Sequence, residues 1–351
     1  MTMPPTAAVA PPSQGTIPGL VKRLPGLALC LIISGLAFLA GKAAPLVGPP
    51  LFAIAIGVLV ANTMRDTLKL TTLKTGDISK MALKTGIVIL GASLDLHDIA
   101  RTGGNSLIFL AVTVIAGLGT ALVLGRAMGI DWRIRCLIGM GTTICGASAI
   151  AALAPVIRAK AEEIAYSVTV VFFFNMIAVF LFPALGHLIG LSDNGFGIWT
   201  GTAVNDTSAV VAAGFAFSPI AGTIATIVKL TRTTLIIPLV IAFGLALPWL
   251  DPDSANKEGS LVRRVYDAFP VFIVLFVIAS LMQTLGLTAG HAAEIQIVGR
   301  WVMVVALAAV GLQGHWRAFA GAGAKPLLLG GITWAAVAGA SLVIQNLTAQ
   351  L

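Results

Sequence analysis

Eleven stretches of the chain, at about residues 25–41, 46–63, 81–96, 105–126, 136–157, 164–189, 195–217, 219–248, 267–287, 295–312 and 326–346, are apolar over lengths near those of bilayer-crossing segments. A crossing α-helix needs about 20 such residues, and lipid leaves no partner for an unpaired backbone group, so runs of this length fold as helices. Only 10% of the residues are charged, against about 25% in a soluble protein, and the mean hydropathy is +0.98. The expected fold is an all-α polytopic membrane protein with about 10–11 transmembrane helices in a lipid bilayer. Residues 1–20, rich in Pro, Ala and Thr, read as a disordered tail, and residues 21–351 as a single transmembrane domain. The net charge of +8 would suggest nucleic acid in a soluble chain. Here the basic residues lie mostly between apolar segments and are orientation signals, so no nucleic-acid partner is expected. Cys30, Cys136 and Cys145 lie in or beside apolar segments without paired spacing, which indicates neither disulfides nor zinc.

If all eleven segments cross and the N-terminus is cytoplasmic, fourteen Lys and Arg of the connecting loops fall on the cytoplasmic side. Five fall outside: Lys42, Arg101, Arg158, Lys160 and Arg300. The asymmetry fits an inner-membrane protein with a cytoplasmic N-terminus and favours full crossing by every segment.

Two segments carry a matched motif. GTTICGASAIAAL at Gly141–Leu153 and GTAVNDTSAVVAA at Gly201–Ala213 align without a gap at an offset of 60 residues, with Gly141/Gly201, Thr142/Thr202 and Ser148/Ser208 identical and Ile144/Val204 conservative. Small and hydroxylated residues inside an apolar run either let helices approach closely or mark where a membrane helix is interrupted, as at transporter binding sites. Asn205 and Asp206, which close packing does not require, favour the interruption. A second echo relates Gly91–Gly104 to Ala309–Ala322, with His97/His315 and Gly103/Gly321 in register on opposite faces, as inverted repeats require. One feature conflicts: with eleven crossings the two motif segments run parallel, whereas inverted mates run antiparallel. Either they are not mates or the span count is off by one.

Lys84, Lys229 and Arg232 belong to no loop. Lys84 sits near a helix end, where it snorkels to the interface. Lys229 and Arg232, three apart and so on one helix face, are functional or ion-pairing candidates. A small anion in a membrane cavity needs fixed donors and positive potential. Half-helix N-termini supply N–H groups; Thr142, Thr143, Ser148, Thr202, Thr207 and Ser208 add hydroxyls; Lys229 and Arg232 add full charge. Asp206 is an ion-pair partner for those cations, a carrier of H+ or Na+, or a helix N-cap. Asp95, His97 and Asp98 read as a solvated turn rather than a metal site, and Glu162 and Glu163 as surface charges.

GTTICGASAIAA, GTAVNDTSAVVAAG and KLTR followed by Pro resemble the signature stretches of the YeiH-type putative sulfate exporter family of bacterial inner-membrane proteins. The resemblance implies a secondary transporter related to cation/proton antiporters and anion transporters. It carries inverted repeats, a panel and a core domain with interrupted crossing helices, and frequent homodimers. By position it places the family's polar residues on Gly141, Thr142, Cys145, Gly146, Ser148, Asn205, Asp206, Thr207, Ser208, Lys229 and Arg232.

The leading expectation is a carrier exporting sulfate or a related sulfonate or carboxylate, coupled to protons or sodium. The alternative is a cation/proton antiporter with Asp206 as the ion carrier. An intramembrane enzyme would need a nucleophile paired with a base, and no His or second carboxylate accompanies the motifs. No nucleotide-binding Gly-rich loop is present and no cofactor is expected.

Overall fold

The computed structural model describes residues 23–43, 48–64, 67–68, 70–250, 271–314 and 323–350. The N-terminal tail, most of the Ala309–Ala322 echo including His315, and residues 251–270 lie outside these. The elements are α1 (Leu24–Ala43), α2 (Gly48–Thr63), α3 (Thr75–Gly91), α4 (Leu96–Ala127), α5 (Trp132–Thr143), α6 (Ala147–Leu153), α7 (Ala161–Leu188), α8 (Asp193–Ala203), α9 (Thr207–Phe217), α10 (Pro219–Thr234), α11 (Ile236–Leu250), α12 (Val271–Thr284), α13 (Ala292–Gly311) and α14 (Ala324–Leu347). Among the described residues, six helical stretches are long and apolar enough to cross a membrane: α1, α4, α7, α10 continued into α11, α13 and α14. The α10–α11 junction falls at Leu235, and Pro238 in the first turn of α11 explains it: its missing N–H leaves the carbonyl of Thr234 without its helical partner.

The two motif segments do not cross. Arg133, at the start of α5, donates through Nε to the carbonyl of Ile157, beyond the end of α6, at 3.2 Å. A continuous helix over that interval would separate the two by about 36 Å at 1.5 Å per residue. The chain therefore turns back at residues 144–146. Likewise the rings of Phe196 in α8 and Phe217 at the end of α9 stack at 3.9 Å between centroids, so residues 193–217 turn back at 204–206. Both are re-entrant hairpins. The interruptions expected from the motifs are present, whereas the expectation that both segments cross fully, drawn from apolar length and charge placement, is corrected here. Neither property distinguishes a crossing from two half-length arms, and turning back twice restores the direction of every later segment.

Between the hairpins runs α7, 28 residues and about 42 Å long, so they open at opposite ends of the molecule. The first opens at the end where α4 finishes, because α5 runs antiparallel to α4: Gly117 faces Thr143, Gly139 faces Ala121 and Gly125 faces Arg135. The second opens at the other end, beside Gly186 and His187 of α7, which pack on Phe196 and Phe217. The hairpin arms are thus antiparallel mates. The conflict left by eleven crossings disappears once these two segments turn back.

Small residues set the packing, as expected where lipid removes the hydrophobic drive for helices to associate. Gly197 and Gly201 of α8 lie on Ala221, Ile224, Ala225 and Val228 of α10, and Gly214 of α9 lies on Gly222. A Cβ at any of these glycines would approach its neighbour within 3 Å. Helices α4, α7, α10, α11 and α14 surround the hairpins, while α1, α2, α3, α12 and α13 form a second group in which Gly57 meets Gly311 and Gly86 meets Met303. The groups touch along α9, which packs on α2 and α13.

Polar residues outside the hairpins cap or snorkel. Asp95 caps α4, accepting from the N–H of His97 at 2.7 Å, and this holds its carboxyl below the usual range. Glu163 is buried rather than a surface charge: it accepts from the N–H of Lys160 at 2.7 Å and closes the start of α7. Lys84 is exposed, 5.8 Å from the Phe272 ring.

Candidate functional site

Interrupting a helix exposes carbonyls at the end of one half and N–H groups at the start of the next. In the first hairpin Gly146 permits the turn, with φ of +68° that a residue bearing Cβ rarely adopts. In the second the backbone is extended at Val204 and at Asp206. Asp206 then caps α9, its carboxylate accepting from the N–H of Ser208 at 2.9 Å and from the Ser208 hydroxyl. Asn175, midway along α7, holds the same turn: its Oδ1 accepts from the N–H groups of Asn205 and Asp206 at 3.1 and 2.9 Å.

The two tips meet. A Cβ placed on Gly146 would lie 3.5 Å from Cβ of Asp206. Lys229 and Arg232, both 0% exposed, bind the two tips together. Nζ of Lys229 donates to the carbonyls of Ile144 at 2.5 Å and Val204 at 2.9 Å, the two positions equated by the 60-residue offset. Arg232 donates through Nε to the carbonyl of Thr143, through Nη2 to that of Thr142 at 2.9 Å and through Nη1 to that of Val204 at 3.4 Å. The cations therefore sit on the C-terminal ends of α5 and α8, where the macrodipoles place partial negative charge. Among the described residues neither is in an ion pair with Asp206.

The other candidates divide. Thr143 and Thr202 turn their hydroxyls back onto the carbonyls of Gly139 and Ile198, both at 2.7 Å, and Thr202 also meets Ser341 of α14 at 2.6 Å. Gly141 packs on Ile150, and Cys145 is a buried tip residue. Thr207 is half-buried, whereas Ser148 is exposed on the open side of α6. Asn205 stands apart: it is 1% exposed, and neither Oδ1 nor Nδ2 has a hydrogen-bond partner among the described residues. Beside the tip a cavity of about 20 Å³, room for one water-sized species, is lined by Asp206, Ser208, Asn175, Ile54, Met176 and Val310 among others. The described residues form no cluster of three or more metal-ligating side chains.

Asn175 was not singled out from the sequence, although an amide inside VVFFFNMIAVFLF is a visible exception in an apolar run.

A family model described as conserved hypothetical protein 698 matches residues 25–330. A UPF0324 membrane protein of Streptococcus pyogenes serotype M6 is 39% identical over 93% of this chain and 97% of its own length. The chain belongs to the UPF0324 membrane protein family. Further UPF0324 relatives come from Streptococcus agalactiae serotype V, 39% identical over 92% of this chain and 97% of theirs, and Streptococcus pneumoniae strain R6, 37% identical over 93% and 98%. The match agrees with the YeiH-type resemblance of the motifs. No solved structure matches the chain. As a UPF0324 member the protein is a multi-pass membrane protein, and both hairpins lie inside the matched region.

Proposed function

We propose that this protein is a secondary active carrier for a small oxyanion, sulfate or a related sulfonate or carboxylate, bound at the meeting point of the two hairpin tips. The observation that carries the reading is the joining of two opposed hairpins through buried Lys229 and Arg232, with the Asn205 amide left unpartnered beside them. Irregular backbone at this depth is tolerated where it lines a site, and an amide with donor and acceptor both unused is a ready ligand group.

Charge sets what fits. Two half-helix N-termini and two C-termini meet at the tips, so their partial charges offset one another. Lys229, Arg232 and ionised Asp206 then leave one net positive charge. A monovalent anion brings the centre to neutrality. A divalent anion does so only when Asp206 also takes up H+ or binds Na+. For a divalent anion such as sulfate this supports coupling at Asp206, anion and cation moving together.

For sidedness, the hairpin topology moves Arg158 and Lys160 to the face that carries the other basic residues, giving sixteen against three. That asymmetry supports an inner-membrane protein with a cytoplasmic N-terminus, the first hairpin opening to the cytoplasm and the second outward.

The test is uptake of radiolabelled sulfate and of a short sulfonate into proteoliposomes under imposed proton and sodium gradients. Gradient-dependent uptake by wild type, reduced at least tenfold in Asn205→Ala, is the expected result. Absence of anion movement, with cation exchange that depends on Asp206, would replace the carrier with the antiporter reading.

A further inference from the structure

Arg300 has no role in the tips. Its sequence position suggests a loop charge, but it lies within α13, half-buried, and its Nε is shielded from solvent with no hydrogen-bond partner among the described residues. It lines a cavity of about 230 Å³ between the two helix groups, whose remaining wall is apolar: Phe38, Phe215, Met303, Val304 and Leu307 among others. The shielded Nε is a donor left without a partner, and an anion entering the recess would satisfy it.

The recess is on a route. On α13, Arg300, Met303, Leu307 and Val310 are spaced three to four apart and share one stripe. On α9, Ser208, Val211 and Phe215 do the same. Arg300, Met303, Leu307, Val211 and Phe215 wall the large cavity, and Val310 and Ser208 wall the small one at Asp206. The same two stripes therefore run from Arg300 to the tip of the second hairpin, about 15 Å along α13. Pro49, Pro50 and Pro219 of the large cavity belong to the ends of α2 and α10 where the second hairpin opens.

We infer that this seam is a binding site for an organic anion, one acidic group on a short hydrocarbon body, with Arg300 holding the acidic group and the α9 and α13 stripes covering the hydrocarbon. A bare inorganic oxyanion would gain the guanidinium but would meet apolar walls with nothing to replace its water. An uncharged hydrocarbon would gain the walls and leave Arg300 unpaired. A sulfonate or carboxylate with about four to six carbons satisfies both. The inference deepens the carrier reading by naming the substrate class and an outward-opening capture residue, and it rests on that reading for the direction of travel.

Binding is measured apart from transport, so each idea fails separately. The full-length protein in lipid nanodiscs is titrated calorimetrically with hexanesulfonate, sodium sulfate and hexanol, with empty nanodiscs subtracted. Hexanesulfonate is expected to bind at least tenfold more tightly than either control. Arg300→Gln should weaken it at least tenfold, with partial recovery in Arg300→Lys. Met303→Trp keeps the charge and fills the recess, so it should also weaken binding, and it serves if Arg300→Gln fails to fold. Equal affinity for hexanol and hexanesulfonate would reduce the seam to an apolar groove. Hexanesulfonate binding unchanged by Arg300→Gln or by Met303→Trp would overturn the inference, whatever the flux of sulfate.

Discussion

Arg232 and Lys229 look in sequence like substrate-binding cations, and in the fold each spends its donors on carbonyls. On the proposed carrier function their charge acts through position rather than contact: they neutralise the carbonyl ends of α5 and α8, and the N-terminal ends are left to face the proposed anion. Removing one uncovers buried acceptors, so Arg232→Gln should lower stability by about 3 kcal/mol, the scale for losing charge-assisted bonds to buried groups. Thermal unfolding in detergent without substrate checks this: a marked fall in melting temperature is expected. An unchanged melt with lost anion binding would return Arg232 to the role of direct ligand. The identities of the tip residues were legible from the 60-residue echo. Their partners were not, because a carbonyl leaves no trace in the amino-acid sequence and Asn175 lies outside both motifs.

At the scale of elements, the hairpins are what length and hydropathy could not separate from crossings. A 22-residue apolar run holds one crossing or two arms of about 11 residues equally well, and only contacts between its ends distinguish them. The helix breaks themselves were readable, since Gly146 and Asp206 are the residue types that turn and cap. The distinction has a direct check. In a cysteine-free background, Phe196→Cys and Phe217→Cys should be joined within one chain by a bismaleimide spanning about 10 Å, because the native rings are 3.9 Å apart. Ends of a continuous helix would be about 30 Å apart and would not react, so absence of the cross-link in folded protein would restore the crossing reading. Shape favours the hairpin for a physical reason as well: each tip is held from outside by Lys229, Arg232 or Asn175, which supplies partners to backbone that lipid would leave unpaired.

For the whole molecule, two hairpins of opposite direction around one buried centre give each face its own gate-like element. Among the described residues the second group of helices meets the first along α9, which packs on α2 and α13, and where α12 packs on α4. Topology makes a further commitment: with both hairpins re-entrant, Lys160 shares a face with Arg126, whereas eleven crossings separate them. Lys160→Cys and Arg126→Cys should therefore be labelled from the same side by a membrane-impermeant maleimide in sealed vesicles, and labelling from opposite sides would break the topology.

On the proposed function Asp206, at the contact of the two tips, couples a cation to the anion. Its most direct measurement compares wild type with Asp206→Asn in proteoliposomes, following both gradient-driven accumulation of radiolabelled sulfate and sulfate–sulfate exchange with no gradient. Asp206→Asn is expected to lose accumulation and keep exchange, since a neutral side chain imitates the cation-loaded state. Accumulation equal to wild type in Asp206→Asn would contradict it.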